Sequence, residues 1–131
     1  MTTTSRGFTV IELIVVILVA AAATVLFFVQ KNNVEVVARD NDRKSAINAM
    51  YYGLEEVYYK SNNFYPEKIE DTTLISVDPA LLSDPSGNKI GSGESDYRYE
   101  PVNCTNAQCK SYTLRAALEN EKDFVKESRN K

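Results

Sequence analysis

The 131-residue sequence contains no histidine and only two cysteines. Without histidine the chain lacks the commonest general base, the usual zinc ligand and the usual switch near neutral pH. Cys104 and Cys109 have no further ligands to join them, so no zinc site is expected. No Gly-rich phosphate loop and no nucleophile motif is present. Carboxylates do pair, as Glu55–Glu56 and Glu70–Asp71. Neighbours on a helix point about 100° apart, so Glu55–Glu56 makes a poor acid/base couple and reads as solvated charge. These absences argue against an enzyme. The net charge is −3 and no basic block stands out. Arg39, Arg43 and Lys44 are offset by Asp40 and Asp42, which makes nucleic acid a poor first partner.

Helix breakers are missing too. No glycine or proline occurs over residues 8–52, and over residues 8–29 Glu12 is the only charge. At about 1.5 Å per residue, residues 8–29 span about 33 Å, enough to cross a bilayer. A plain N-terminal anchor is one reading. A cleaved secretory signal is another, because "VAAAAT" offers small residues for a cut. Against it, only Arg6 precedes the run as a basic residue, and the apolar character continues through "VLFFV". A third reading starts from Glu12. A carboxylate at membrane depth costs roughly 2.5–3.5 kcal/mol and calls for a partner. Arg6 lies on the far side of Gly7. A cut after Gly7 would place a new α-amine on Phe8, able to serve Glu12 of a neighbouring copy.

The stretch "RGFTVIELIVVILVAAAA" resembles the class III signal of type IV pilins and pseudopilins. The likeness covers about residues 1–30. It comprises a short polar leader ending in Gly7, then Phe8, then Glu12, then an apolar helix. It implies that a prepilin peptidase cuts between Gly7 and Phe8, and that Phe8 becomes N-methylated. It further implies a homo-oligomeric helical filament, with Glu12 meeting the Phe8 amine of an adjacent subunit. Membrane lipid before assembly, the peptidase and a pilus assembly machine in the cytoplasmic membrane are the implied partners. The precursor is expected as a single-pass protein with its N-terminus inside, and the assembled form as a surface pilus or a periplasmic pseudopilus. Many pilins carry a proline in the membrane half; this chain has none.

Beyond the membrane run one helix is expected to continue to about residue 60. Val34, Val37, Ala38, Ile47, Met50, Leu54, Val57 and Tyr58 recur at spacings of three and four. "NDRKS" (41–45) is polar on all sides and weakens that stripe. "SNNFYP" (61–66) is a stop. In "DPALL", Asp78 and Pro79 can cap and open a short helix. "DPSGN" (84–88) reads as a tight turn and is similar to the Asp-Pro-x-Gly turn of type II secretion major pseudopilins. "SDYRYEPV" and "SYTLRAALE" alternate with period two and predict an antiparallel hairpin. Pro101 marks an edge strand or an early strand end. The expected fold is α+β, a long N-terminal helix packed on a small antiparallel sheet. Its parts are a leader (1–7), a membrane helix (8–30), an amphipathic continuation (31–60), a loop region (61–95), the hairpin (96–119) and a frayed tail (120–131).

"CTNAQC" puts Cys104 and Cys109 at the hairpin end, where a disulfide is geometrically reasonable. Two free thiols and a redox-active pair are the alternatives. No cofactor is expected, although Asp84, Asn88, Glu94 and Asp96 supply oxygen ligands of the kind calcium takes. The eight tyrosines read as half-buried packing rather than an adhesive surface. The function expected is that of a type IV pilus subunit. A pseudopilin of a secretion or DNA-uptake machine and a membrane-tethered binding module remain open.

Overall fold

The computed structural model describes residues 7 and 9–130. One uninterrupted helix runs over Val10–Asn62. It comprises α1 (Val10–Tyr52), a π-helical segment (Gly53–Tyr58) and a last turn, α2 (Tyr59–Asn62). The chain divides into two compact units between Glu35 and Val36. In the first unit every described residue is exposed. The second unit holds the core.

In that second unit the helix contributes Ala46, Ile47, Met50 and Leu54 to the core. The expected stripe holds at Ile47, Met50 and Leu54, with Tyr58 partly buried against the core. Val37, Ala38 and Val57 are exposed, as is Val34 in the first unit. Burial begins instead at Asp40, and Arg43, within the stretch read as polar on all sides, is 5% exposed. The reason is chemical: chain segments cover the helix there with carboxylates and backbone amides rather than with apolar groups.

Gly53 opens the π-helical segment because nothing larger fits. A Cβ at this position would lie 2.6 Å from Val77 Cγ2. The wider turn is closed by the Tyr59 N–H donating to the Leu54 carbonyl, five residues back. The helix stops where Asn63 takes a left-handed conformation, φ 61°, with its N–H donating to Tyr59 O. Asparagine tolerates that region better than most residues, which explains the stop in "SNNFYP".

The connection to the sheet is irregular, as expected. Asp78 Oδ1 accepts the Ala80 N–H at 2.9 Å and caps a 3₁₀ turn over Pro79–Leu82. Asp84 builds the "DPSGN" turn, in which the Gly87 N–H donates to Asp84 O at 2.9 Å and Gly87 sits at φ 89°.

Four antiparallel strands form the sheet: β1 (Tyr65–Pro66), β2 (Tyr97–Thr105), β3 (Gln108–Ala116) and β4 (Phe124–Glu127). β3 is central. β2 pairs along one of its edges, from Tyr97↔Ala116 to Thr105↔Gln108. β1 and β4 share the other, β1 at Cys109 and Gln108, β4 from Thr113 to Ala116. Tyr97, Tyr112, Leu114 and Ala116 face the helix core, as period two requires. Pro101 sits opposite Tyr112. Tyr112 directs its N–H and C=O to Ser128 instead (3.3 and 3.0 Å). The N–H that Pro101 lacks therefore falls on the outer edge of β2, where its absence breaks no ladder bond and discourages further strand pairing.

The tail does not fray as expected. Residues 124–127 are β4, and beyond them Ser128, Arg129 and Asn130 make side-chain or backbone hydrogen bonds to the helix and sheet. A four-residue strand carries too few positions for a periodic signal. A test of the helix–loop fit follows. Gly53→Ala should lower stability by about 1–3 kcal/mol through overpacking against Val77. Val77→Ala in the same chain should recover part of the loss. Thermal unfolding of the pair checks this, and an undiminished melting temperature in Gly53→Ala would refute the close fit.

Candidate functional site

The residues singled out from the sequence fall at the N-terminus. Gly7 is exposed, whereas Phe8 and the leader residues before Gly7 lie outside the described residues. Helix α1 begins at Val10, directly after Thr9. Thr9 Oγ1 accepts the Glu12 N–H at 3.3 Å, and Thr9 O accepts the Leu13 N–H at 3.1 Å. Thr9 is therefore the N-cap and Glu12 the third helical residue. The signal was present as Thr-x-x-Glu, the spacing of a capping box, and the sequence reading passed over it. Glu12 has a local rationale as well, because a carboxylate in the first turn faces the positive end of the helix dipole. Its own carboxylate is exposed and makes no hydrogen bond or ion pair with another described residue.

The surface behind Glu12 is apolar on all sides. Val10 and Ile11 are 74% and 75% exposed, and Phe27 and Phe28 are 65% and 59% exposed. A helix that is apolar all round is one that something else must cover.

Charge in the second unit is arranged differently. Arg43, on the helix, meets Asp40 Oδ1 at 3.0 Å, Asp96 Oδ2 at 2.8 Å and Glu119 Oε1 at 2.8 Å. Arg39 grips Glu119 through two contacts of 2.7 Å. Asp40 also accepts the backbone N–H groups of Glu119 (2.9 Å) and Asn120 (3.2 Å). This network ties the start of β2 and the β3–β4 connection to one turn of helix. Burial pushes the Asp40 carboxyl up, but the two amides and Arg43 outweigh it and hold it below its ordinary value.

Glu55 corrects the reading of Glu55–Glu56 as solvated charge. It is 4% exposed and accepts from Tyr112 Oη (2.8 Å), Tyr65 Oη (3.0 Å) and the Arg129 N–H (3.2 Å). Burial, and then the hydrogen bond to Glu55, push the Tyr112 phenol upward. Glu56 instead points outward to Lys60 and Arg129. Nothing in the sequence marks Glu55 as the buried one. Its partners, Tyr65, Tyr112 and Arg129, lie ten or more residues away in the chain.

Cys104 and Cys109 are bonded as a disulfide and lie directly opposite each other on β2 and β3. Of the oxygen ligands weighed for calcium, the Asp84 and Asp96 carboxylates are engaged within the chain. Asp84 takes the N–H groups of Ser86, Asn88 and Asp96, each at 2.9 Å. The Asp96 carboxylate goes to Arg43, and the Asn88 amide donates to the Glu94 carbonyl at 3.3 Å. Among the described residues no group of three or more His, Cys, Asp or Glu is placed to hold a metal ion. Tyr51, Tyr58, Tyr59 and Tyr99 pack partly buried against the core, whereas Tyr52 is exposed.

Comparison with family models, with curated proteins and with solved structures finds no match.

The Arg43 network has a defined acid response. Hydrogen bonds from Arg39 and Arg43 hold Glu119 at about 2 instead of 4.5. A folded-state value below the unfolded one stabilises the fold fully above the unfolded value and loses that contribution as pH falls to the folded value. The relevant window is therefore about pH 4.5 down to about 2. Across it, the melting temperature of the unmodified chain should fall more steeply than that of Glu119→Gln. Parallel acid limbs would show that Glu119 contributes no pH-dependent stability.

Proposed function

We propose that this chain is a structural subunit of a type IV pilus-like filament and has no catalytic activity. One observation carries the reading: an all-round apolar helix surface over residues 10–29, beginning with a single exposed carboxylate, Glu12, that no described residue neutralises. The helix is long and apolar enough to cross a membrane once, which suits a precursor held in the cytoplasmic membrane with residues 1–7 inside. Hydrolysis between Gly7 and Phe8 frees an α-amine, and N-methylation leaves it cationic. Apolar side chains of neighbouring copies then replace lipid around the helix. Glu12 meets the Phe8 amine of an adjacent subunit and sets the stagger. Such a desolvated pair contributes register more than net stability.

A pseudopilin of a secretion or DNA-uptake machine shares this N-terminus. The compact Asp84 turn, closed by Asp84 N–H to Asn88 O at 3.0 Å, favours it as the second reading. Fibres sheared from cells separate the two: long fibres containing this chain belong to a pilus. A membrane-tethered binding module leaves Glu12 without a role beyond its helix turn.

Glu12→Val should leave the chain in the membrane but abolish or strongly reduce fibres, counted by electron microscopy of sheared material from cells carrying the complete assembly machinery. Glu12→Gln should be impaired as well, since it keeps the polarity but not the charge. Normal fibres from Glu12→Val would overturn the proposal.

A further inference from the structure

Arginines elsewhere in the described residues are saturated. Arg39, Arg43 and Arg129 each donate to a carboxylate at 3.1 Å or less. Arg98 and Arg115 differ. They sit directly opposite each other on β2 and β3, where like charges repel across the pair. Arg98 is exposed and meets no carboxylate among the described residues. Arg115 reaches Glu100 and Asp123 only at 3.6 and 3.8 Å, and its Nε is buried without a hydrogen-bond partner among those residues. Strand alternation puts both arginines on the sheet face turned away from the helix. They share a row with Val125, which is 42% exposed. Glu100, Thr113 and Glu127 make the next row. Arg115 thus has two carboxylates to balance it, and Arg98 is left open.

A surface of opposite character lies on the helix side of the sheet. A groove of about 680 Å³ runs between the end of the long helix and the loop that follows β1. Ile75 on the loop wall is 89% exposed, although Leu74 and Val77 beside it are buried, and Val57 on the helix wall is 47% exposed. Glu67 and Glu70 line the same groove, and their carboxylates make no hydrogen bond or ion pair with another described residue. Lys68 is the one cation among the described lining residues, so the groove carries net negative charge. Apolar groups left open beside unpaired carboxylates mark a contact surface. What covers it must bring apolar side chains flanked by cations. The row of Arg98, Arg115 and Val125 supplies both from the same sequence.

We propose that this groove docks onto the outer sheet face of a second copy of the chain, with Glu67 and Glu70 meeting Arg98 and Arg115, and Ile75 packing on Val125. The two surfaces lie on opposite sides of the sheet, so one copy turns them toward different neighbours. Such a contact is heterologous and repeats from copy to copy, as a filament requires and a two-fold dimer does not. The inference rests on the filament reading and names the surfaces through which the sheet-bearing units of neighbouring copies touch.

The test counts fibres by electron microscopy of material sheared from cells carrying the complete assembly machinery. Arg98→Glu, at an exposed side chain with no partner to lose, should lower the count by roughly tenfold or more. Glu67→Arg/Glu70→Arg should do the same. Arg98→Glu combined with Glu67→Arg or with Glu70→Arg should restore fibres in at least one of the two combinations, which a weakened fold would not do. Normal counts from either charge-reversed variant, or no recovery in either combination, would overturn the docking and leave the filament reading standing. No fibres from the unmodified chain would overturn both.

Discussion

Residues 10–29 show valine, isoleucine, leucine and phenylalanine on every side of a helix, with more than half of each such side chain uncovered. Water penalises such a surface roughly in proportion to its area. Lipid or other copies of the same helix would remove the penalty. Composition enforces the helix itself, because in an apolar medium every backbone N–H and C=O must be bonded within the segment. The unbroken helix over residues 10–29 fits that constraint. The sequence has no breaker over this run, and Thr9 caps its start.

Two carboxylates show how differently the chain handles charge. Glu55 is buried among groups of its own fold, with two phenols and a backbone amide to receive it. Arg43 is likewise surrounded by three carboxylates of the same chain. These groups are satisfied inside one molecule, so they specify the fold. Glu12 has a capping position and a favourable helix dipole, but no cation among the described residues. The dipole offsets part of its cost in an apolar medium and leaves the charge itself unanswered. In the filament proposed above, the charge that Glu12 lacks within the chain would be supplied by an adjacent copy.

Much of the architecture was legible because it rests on local rules. The long helix needed only the absence of glycine and proline. The hairpin needed only alternation in two nine-residue strands, and the stops needed asparagine, proline and aspartate in their usual places. What escaped depends on contacts far apart in the chain. Arg43 looked solvated because its carboxylates at 96 and 119 lie more than fifty residues away. Glu55 looked solvated because the phenols of Tyr65 and Tyr112 and the Arg129 N–H that receive it lie ten or more residues away. β4 was missed because four residues show no convincing period and draw their stability from β3. At the candidate site, Glu12 stood out as a charge in an apolar run, whereas the cap by Thr9 went unread although its motif was local.

The chemistry that would give Glu12 its missing cation begins with one bond, Gly7–Phe8. Intact-mass and N-terminal fragment spectrometry of the mature chain purified from its own cells reads that bond directly. A chain that starts at an N-methylated Phe8 is the predicted result. A chain that keeps residues 1–7, or is cut among Ala20, Ala21, Ala22 and Ala23, would contradict it.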